Sequence, residues 1–204
     1  MASITSSVDN ARAQRVLAVA LEVFGRYGFR KASMDEIARS ADISRQGLYL
    51  HFANKDALFR AAVRQELDTA LADASRCLDE EGVGLERRVV GALDAWLGRY
   101  VGSLLASDIW SLLQDPGMRL ADIVDPAIAV FDGLLAAAIA TAMSEKECRR
   151  LGVTPQDIGA ALHIVAQGAK YQSRAQSREE FVARLTVAVG VVFAGFGDAA
   201  KRKP

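Results

Sequence analysis

Apolar side chains recur every three or four residues along most of the chain, and this spacing predicts helices. Gly28 gives the first apolar stripe a C-terminal stop. That stripe consists of Ala13, Leu17, Ala20, Phe24 and Tyr27. Strand signals are almost absent, because no stretch keeps a clean alternation of apolar and polar residues. The pattern therefore predicts an all-α fold of about nine helices.

Capping signals place the next two helices close together. Residues 33–36 have the spacing of a capping box, which predicts a second helix over residues 34–41. Asp42 belongs to the few non-glycine residue types that tolerate a left-handed backbone, and Ser44 can cap a third helix over residues 45–51. Two short helices joined by a turn of three or four residues form a helix-turn-helix unit.

Asn54 caps a fourth helix that runs toward Leu78, and the acidic, glycine-containing segment 79–84 follows it. The domain junction is therefore expected near this helix, without a long linker. The domain assignment is an N-terminal helix-turn-helix domain over residues 1–53, linked by the fourth helix to a larger helical domain over residues 54–204.

Five further helices are predicted from the same periodicity. Residues 115–117 contain proline and glycine and end one helix, and Pro126 opens another at its first helical position after Asp125. The five helices cover residues 85–105, 107–114, 126–150, 158–172 and 181–196.

Total charge suggests no polyanionic partner, since 25 Lys and Arg balance 25 Asp and Glu, but the charges are unevenly distributed. Residues 1–64 carry ten basic and six acidic side chains, and the rest of the chain carries fifteen and nineteen. A basic first third joined to an acidic remainder indicates an N-terminal module that binds a polyanion.

Two cysteines, Cys77 and Cys148, lie far apart without a metal-ligand pattern, so no disulfide framework, metal site or cofactor is expected. A redox-sensing role for either is an alternative, although nothing in the sequence places a cation beside the thiol. The N-terminus lacks the features of a secretory signal. The longest uncharged apolar run, residues 185–197, is shorter than the roughly 18 residues that span a bilayer. We expect a cytoplasmic protein without a membrane partner.

Residues 15–58 strongly resemble the DNA-binding region of TetR-family transcriptional regulators. The resemblance is carried by Phe24, Gly28, Ile37, Ala38, Ala41, Leu48, Tyr49, His51, Phe52, Lys55 and Leu58. Two positions depart from the family pattern: Asp42 replaces the usual turn glycine, and Gly47 stands where a small polar residue that contacts bases is common. The resemblance implies a sequence-specific repressor that binds a palindromic double-stranded DNA operator as a homodimer and is released by a small-molecule effector.

A recognition helix must turn a polar face to the base edges while its other side is buried. Leu48 and Phe52, four residues apart, can face the domain core. Arg45 can then contact guanine, Gln46 can read adenine, and Leu50 can press on a thymine methyl group.

Other predicted contacts concern the fit to the groove and the DNA backbone. Gly47 allows close approach of the helix, while Tyr49, His51 and Lys55 match family positions that touch phosphates. Ser33 and the first N–H groups of the second helix can form an anion site. The predicted DNA-binding set is Ser33, Met34, Ser44, Arg45, Gln46, Gly47, Tyr49, Leu50, His51 and Lys55.

Ordinary structural roles are the alternative for these residues. Tyr49 can be a core aromatic with its hydroxyl at the surface, His51 a structural histidine and Lys55 a solvated charge. Arg45 and Gln46 on one face of the second helix of a helix-turn-helix favour DNA binding.

The C-terminal region is similar in layout to the family's effector-binding and dimerisation domain, in which the last two long helices pair with their copies. Apolar residues on the two predicted helices keep heptad-like spacing, which agrees with such pairing. These candidate interface residues are Ile158, Leu162, Val165, Ala169, Phe181, Leu185, Ala188 and Val192. The alternative is that the stripes face only the core of their own domain.

An effector pocket requires an apolar lining with a few polar groups. Candidate lining residues, each of which can instead be ordinary core, are Trp96, Tyr100, Trp110, Met118, Phe131 and His163.

Two other functional classes are weighed against a regulator. An enzyme would need a nucleophile with a base, a metal cluster or a phosphate loop, and none of these motifs is found in the sequence. An effector-independent architectural DNA-binding protein should be basic overall, whereas this chain is neutral.

Overall fold

The computed structural model describes residues 2–99, 101, 120–172 and 177–199, and every regular element in those residues is helical. The all-α prediction is therefore confirmed. The nine α-helices of the described residues are α1 (Ala2–Lys31), α2 (Met34–Ser40), α3 (Arg45–His51), α4 (Lys55–Leu78), α5 (Leu85–Leu93), α6 (Ala121–Ala142), α7 (Glu145–Leu151), α8 (Pro155–Gln172) and α9 (Arg178–Ala199). A π-helical turn, Asp94–Gly98, directly follows α5.

The described residues divide into two compact units. The first contains residues 2–69 and 120–124, and the second contains residues 70–99, 101, 125–172 and 177–199. The division falls inside α4, between residues 69 and 70, and inside α6. The domain boundary assigned from the sequence, between residues 53 and 54, stays a prediction.

Three phenylalanines form the core of the first unit where the end of α1 meets the start of α4. The ring of Phe24 packs edge-on against Phe59, with 4.9 Å between centroids, and Phe29 lies 5.6 Å and 5.4 Å from these two rings. Phe24 and Phe59 are fully buried. Aromatic rings in edge-on and offset arrangements add about 0.5–1.5 kcal/mol per pair to the burial of their area.

The predicted stop of the first helix is confirmed at Gly28. Its φ of +76° and ψ of 154° interrupt the helical backbone, and residues 29–31 form a short continuation after the kink. The N–H of Ala32 then donates to the Gly28 carbonyl oxygen at 3.1 Å. Glycine adopts such a positive φ without the steric cost that a Cβ would add.

The helix-turn-helix forms as the capping signals predict. Ser33 accepts a hydrogen bond from the N–H of Glu36 at 3.2 Å and caps α2, and Ser44 caps α3. Asp42 has a φ of +53°, so it adopts the left-handed conformation predicted for it. Leu48 is fully buried between these turns.

The predicted continuous helix over residues 85–105 is wrong in part, because five residues, Asp94–Gly98, form a π-turn. A Cβ at residue 98 would overlap the carboxylate of Asp94, so Gly98 leaves room for that group. The Asp94 carboxylate accepts two bonds from Arg178 of α9, at 3.1 Å and 2.7 Å. Residues 100 and 102–119, including the predicted helix over residues 107–114, lie outside the described residues.

A single helix over residues 126–150 was also expected, and this prediction is wrong. Helix α6 begins earlier, at Ala121, with Pro126 inside it, and it ends at Ala142. Ser144 then starts α7 with a complete capping box, in which Ser144 and Glu147 bond each other's backbone N–H groups. The Ser-x-x-Glu spacing at residues 144–147 is the sequence signal for this new start.

The second unit has a continuous apolar core built from six elements. Helix α6 contributes fully buried side chains to it, and the end of α4, α5, the π-turn, α8 and α9 pack around them. Its fully buried larger residues are Val89, Leu93, Phe131, Leu135, Ile139, Leu162, Phe181, Leu185 and Val189.

One described helix, α6, has the length and apolar composition of a membrane span. Its Phe131, Leu135 and Ile139 are fully buried in the core of the second unit, and its Asp132 pairs with His163 of α8. These contacts are those of a core helix, because they direct the most apolar side of α6 into the protein rather than outward.

Candidate nucleic-acid interface

Helix α3 presents most of its predicted base-reading residues to solvent. Arg45, Gln46, Tyr49, Leu50 and His51 are all exposed. Leu50 is 78% exposed, so its side chain is accessible to a partner. An exposed row of polar residues with one apolar member can recognise both base edges and a thymine methyl group.

The buried side of α3 holds this row in place. Leu48 is fully buried, as predicted, and Phe52 at the C-cap is half-buried. Because α3 has only seven residues, its position depends on these contacts rather than on its intrinsic helical stability.

Two serines of the predicted set have capping roles in the structure. Ser44 Oγ accepts a hydrogen bond from the N–H of Gly47 at 2.9 Å, and Ser33 Oγ caps α2 in the same way. The side chain of Met34 is 7% exposed and packs in the core, so its side chain does not reach a DNA surface. Residue 34 can therefore contact a phosphate only through its backbone N–H, as the anion-site hypothesis requires.

A side chain at position 47, where α3 has a glycine, would crowd the N-terminal cap of the helix. A Cβ at this position would lie 3.1 Å from Ser44 Oγ, the hydroxyl that caps the helix. Any larger residue would press on the cap and add bulk to the exposed face. This crowding supports the prediction that Gly47 contributes close approach rather than hydrogen bonds.

Arg45 does not extend freely into solvent. Its Nε and Nη1 each lie 3.0 Å from a carboxylate oxygen of Asp35, the second residue of α2. The guanidinium also lies over the ring of Tyr49, 5.6 Å from its centroid. Asp35 was not among the residues singled out from the sequence, because its partner is ten positions away across the turn.

Lys55 has a role that neither sequence-based alternative foresaw. Its ammonium donates to three carbonyl oxygens that follow the α1 kink: Phe29 at 2.7 Å, Ala32 at 3.0 Å and Arg30 at 3.3 Å. It also lies 4.6 Å from the Phe29 ring centroid. A lysine has three N–H donors, so this arrangement uses all of them. In the structure Lys55 thus has a capping contact, and its contact with a phosphate stays a prediction.

Three of the predicted pocket residues come together in the second unit. Trp96 stacks on Phe131 with 4.8 Å between ring centroids, and Phe131 packs edge-on against His163 at 5.2 Å. Tyr100, Trp110 and Met118, which complete the predicted set, lie outside the described residues.

His163 is the centre of a buried polar network. Trp96 Nε1 donates to His163 Nε2 at 3.3 Å, and Gln167 Nε2 lies 3.2 Å from the same nitrogen. Since an indole N–H can only donate, Nε2 must accept and the ring proton lies on Nδ1. Nδ1 then donates to Asp132 at 2.7 Å. Both ring nitrogens of His163 are thus hydrogen-bonded.

Four of the predicted interface residues, Ile158, Leu162, Phe181 and Leu185, are instead buried in the core of their own unit. This part of the interface prediction is wrong, because buried side chains are not available to a second protomer. The other four predicted residues, Val165, Ala169, Ala188 and Val192, are half-buried.

The opposite sides of α8 and α9 carry exposed apolar stripes that the sequence analysis missed. Ile164 is 69% exposed, and Val187 and Val191 are each 68% exposed. Each stripe continues with exposed small residues at intervals of four. The two stripes are Ala160, Ile164 and Gly168 on α8, and Ala183, Val187, Val191 and Gly195 on α9.

The second unit also has an open cleft with a volume of about 660 Å³. Cys148, which is buried, lies in its wall, and both cysteines are free thiols. The cleft is lined by Ala140, Met143, Glu145, Cys148, Arg149, Gly152, Val153, Thr154 and Pro155.

Burial raises the pKa of the Cys77 thiol, which disfavours the reactive thiolate form.

Comparisons with known proteins identify relatives of part of the chain. A family model of bacterial regulatory proteins of the tetR family matches residues 16–62. An HTH-type transcriptional repressor of Mycobacterium tuberculosis is 35% identical over 89 residues, which cover 43% of this chain and 46% of the relative. The HTH-type transcriptional regulator UidR of Escherichia coli is 45% identical over 58 residues, covering 28% of this chain and 30% of the relative. The chain thus spans less than half the length of these curated relatives.

Solved structures are similar over nearly the whole chain. A putative TetR-family transcriptional regulator from a Rhodococcus species has a TM-score of 0.66 at 21% identity, covering 89% of this chain and 97% of that one. A putative transcriptional regulator from Pseudomonas aeruginosa has a TM-score of 0.68 at 16% identity and covers 92% of both chains. At these identities the likeness concerns the fold.

Replacement of Lys55 by methionine should lower the free energy of unfolding by about 2 kcal/mol, because hydrogen bonds from a charged donor contribute about 1.5–3 kcal/mol. Methionine keeps an apolar stem beside Phe29 but supplies no donor to the three carbonyl oxygens. Urea denaturation measures the effect. The matched control is Lys146→Met in α7, where the lysine is exposed and the change should be within about 0.5 kcal/mol. Equal stability of the two variants would contradict the capping role.

Proposed function

We propose that this chain, which belongs to the TetR family of bacterial regulatory proteins, is a transcriptional repressor that binds a palindromic operator as a homodimer and is released by a small-molecule effector. The observation that carries the proposal is the exposed polar face of α3 above a buried Leu48, in the segment that the family model matches. The sequence contains none of the enzyme motifs considered above, and the relatives are transcriptional regulators. The protein would act on DNA in the cytoplasm.

In this proposal α3 enters the major groove. Arg45 offers two parallel donors to guanine, Gln46 reads adenine, and Leu50 contacts a thymine methyl group. Tyr49 and His51 follow on the exposed side and reach the phosphate backbone. Gly47 permits the close approach that these contacts need.

A palindromic operator requires two-fold symmetry in the protein, so we assign the dimer interface to the exposed stripes of α8 and α9. Their residues alternate small and branched apolar types at intervals of four, which suits close packing of helices. Exposed apolar patches on soluble proteins mark interaction sites. Four helices, two from each protomer, would then bury Ile164, Val187 and Val191.

For the effector we propose the surroundings of Trp96, Phe131 and His163. Aromatic faces with one histidine and one amide nearby suit a flat apolar molecule with a hydrogen-bonding group. An effector acts as a releasing agent if it binds more tightly to the protomer arrangement that does not fit the operator spacing.

Arg45→Ala should lower affinity for an operator selected from random duplexes by about 1–3 kcal/mol per half-site and relax the base preference at one position of each half-site. An electrophoretic shift assay with specific and scrambled duplexes at several salt concentrations measures this. Arg64→Ala, an exposed arginine of α4, is the matched control and should leave the preference intact. Salt-sensitive binding without any sequence preference would favour the architectural alternative instead.

Val187→Glu should convert the dimer to monomer at micromolar concentration. An unpaired carboxylate buried at an interface costs about 3 kcal/mol or more, which corresponds to a weakening of roughly 100-fold. Analytical ultracentrifugation measures the state. Val130→Glu on α6 is the control, since Val130 is 53% exposed and lies outside both stripes. A dimeric Val187→Glu protein would show that another surface pairs the protomers.

Compounds that release the operator should act about fivefold more weakly on Trp96→Phe. This variant keeps a stacked ring but loses the N–H that fixes His163 in the proposed pocket, and one hydrogen bond contributes about 1 kcal/mol. A set of small aromatic compounds can be screened by loss of fluorescence anisotropy of labelled operator. Operator affinity without compound is the control and should not change. Equal potency on both proteins would place the effector elsewhere, with the cleft beside Cys148 as the next site to test.

A further inference from the structure

We propose that Asp35 is a specificity-determining residue of the DNA interface: it holds the guanidinium of Arg45 in one position and so directs the remaining donors of that group to a single base. The inference rests on the proposed function, because it assigns the device by which the same surface selects its sequence.

The contact between the two side chains joins them at two points. Arg45 Nη1 donates a hydrogen bond to Asp35 Oδ2 at 3.0 Å, and Arg45 Nε lies 3.0 Å from Asp35 Oδ1. A hydrogen bond between two charged groups, together with the close approach of their opposite charges, restricts the positions that the guanidinium can take. Without this partner the guanidinium would be free to turn toward other acceptors.

The remaining donors of Arg45 can pair with guanine. A guanidinium carries five N–H groups, and the hydrogen bond to Asp35 uses one N–H of Nη1. The other N–H of Nη1 and the two of Nη2 are left for a base. Guanine offers two acceptors, O6 and N7, to a pair of such donors in the major groove.

Tyr49 limits the guanidinium from a second direction. Its ring lies one helical turn further along α3, with Arg45 Cζ 5.6 Å from the ring centroid. The carboxylate therefore restrains the edge of the guanidinium and the aromatic ring restrains its face. Both side chains of the ion pair stay accessible, at 63% for Arg45 and 49% for Asp35, so the remaining donors can meet a base.

The charge of Asp35 weakens binding that does not depend on the DNA sequence. A carboxylate on a surface that approaches phosphates repels them, and non-specific affinity comes from the balance of charges near the backbone. Asp35 thus weakens binding to all sequences while it improves the choice among them. Specificity depends on the difference between these affinities, so a residue can raise it at a cost in non-specific binding.

A purely structural role makes a different prediction. Asp35 and Glu36 both lie in the first turn of α2, where acidic side chains favour the helix N-terminus. Glu36→Gln removes one charge from the same turn without touching the Arg45 contact. It is therefore the matched control for Asp35→Asn, which keeps the shape of the side chain.

The experiment uses the full-length dimer and a pool of duplexes with a randomised centre. The wild type, Asp35→Asn, Glu36→Gln, Arg45→Ala and the Asp35→Asn/Arg45→Ala double variant are each subjected to selection and sequencing. Affinities for the wild-type consensus and for an unrelated duplex of equal length are then measured at two salt concentrations.

Asp35→Asn should reduce the guanine preference about fivefold at the position where Arg45→Ala abolishes it, as expected for loss of an exposed ion pair. It should also bind the unrelated duplex more tightly than the wild type does. The double variant should lose no more preference than Arg45→Ala alone. Glu36→Gln should share the gain on the unrelated duplex and keep the guanine preference.

Three results would overturn the inference. An unchanged guanine preference in Asp35→Asn would show that Arg45 needs no orientation. A change of preference at a different position would make Asp35 a direct base reader. Equal loss in Glu36→Gln would reduce the effect to helix stability. If the wild type selects no motif at all, the proposed function itself fails, which is a separate and recognisable outcome.

Discussion

The helix-turn-helix depends on how the end of α1 is held against the start of α4. The kink at Gly28 turns carbonyl groups away from the helical pattern, and helix ends must find other partners for such groups. Lys55 supplies three donors to them, while Phe24, Phe29 and Phe59 exclude water beside the same junction. Because α2 begins only a few residues later, at Met34, its direction and that of α3 are set at this point.

The second unit combines a large apolar core with one buried polar network. The core packs the end of α4, α5, α6, α8 and α9 without directional preference, since apolar contacts do not specify a single arrangement. The bonds of His163 to Trp96, Asp132 and Gln167 have definite geometry and link the π-turn, α6 and α8 at one place. A buried histidine with both nitrogens satisfied adds order to the core at little cost, whereas an unsatisfied one would destabilise it.

Local signals predicted the first unit well, because capping and turn formation depend on neighbours in sequence. The caps at Ser33, Ser44 and Asn54, the turn at Asp42 and the burial of Leu48 all follow from such signals. The ion pair of Arg45 with Asp35 and the capping by Lys55 join residues 10 to 26 positions apart, and periodicity carries no information about them. Helices α8 and α9 are apolar on two sides, so their spacing offers two stripes and does not tell which one faces the core. The separate start of α7 was available from residues 144–147 and was overlooked.

The exposed stripes on α8 and α9 link assembly to folding. When a folded protomer leaves apolar helix faces uncovered and a second copy covers them, each protomer is stabilised by mass action. This stabilisation grows with the logarithm of the ratio between the protein concentration and the dissociation constant. The melting temperature of such a protein rises with its concentration. In a cell that makes few copies, newly synthesised protomers would spend their first moments with these faces open to proteases and chaperones, so the lifetime of the protein would be governed by how quickly one copy finds another.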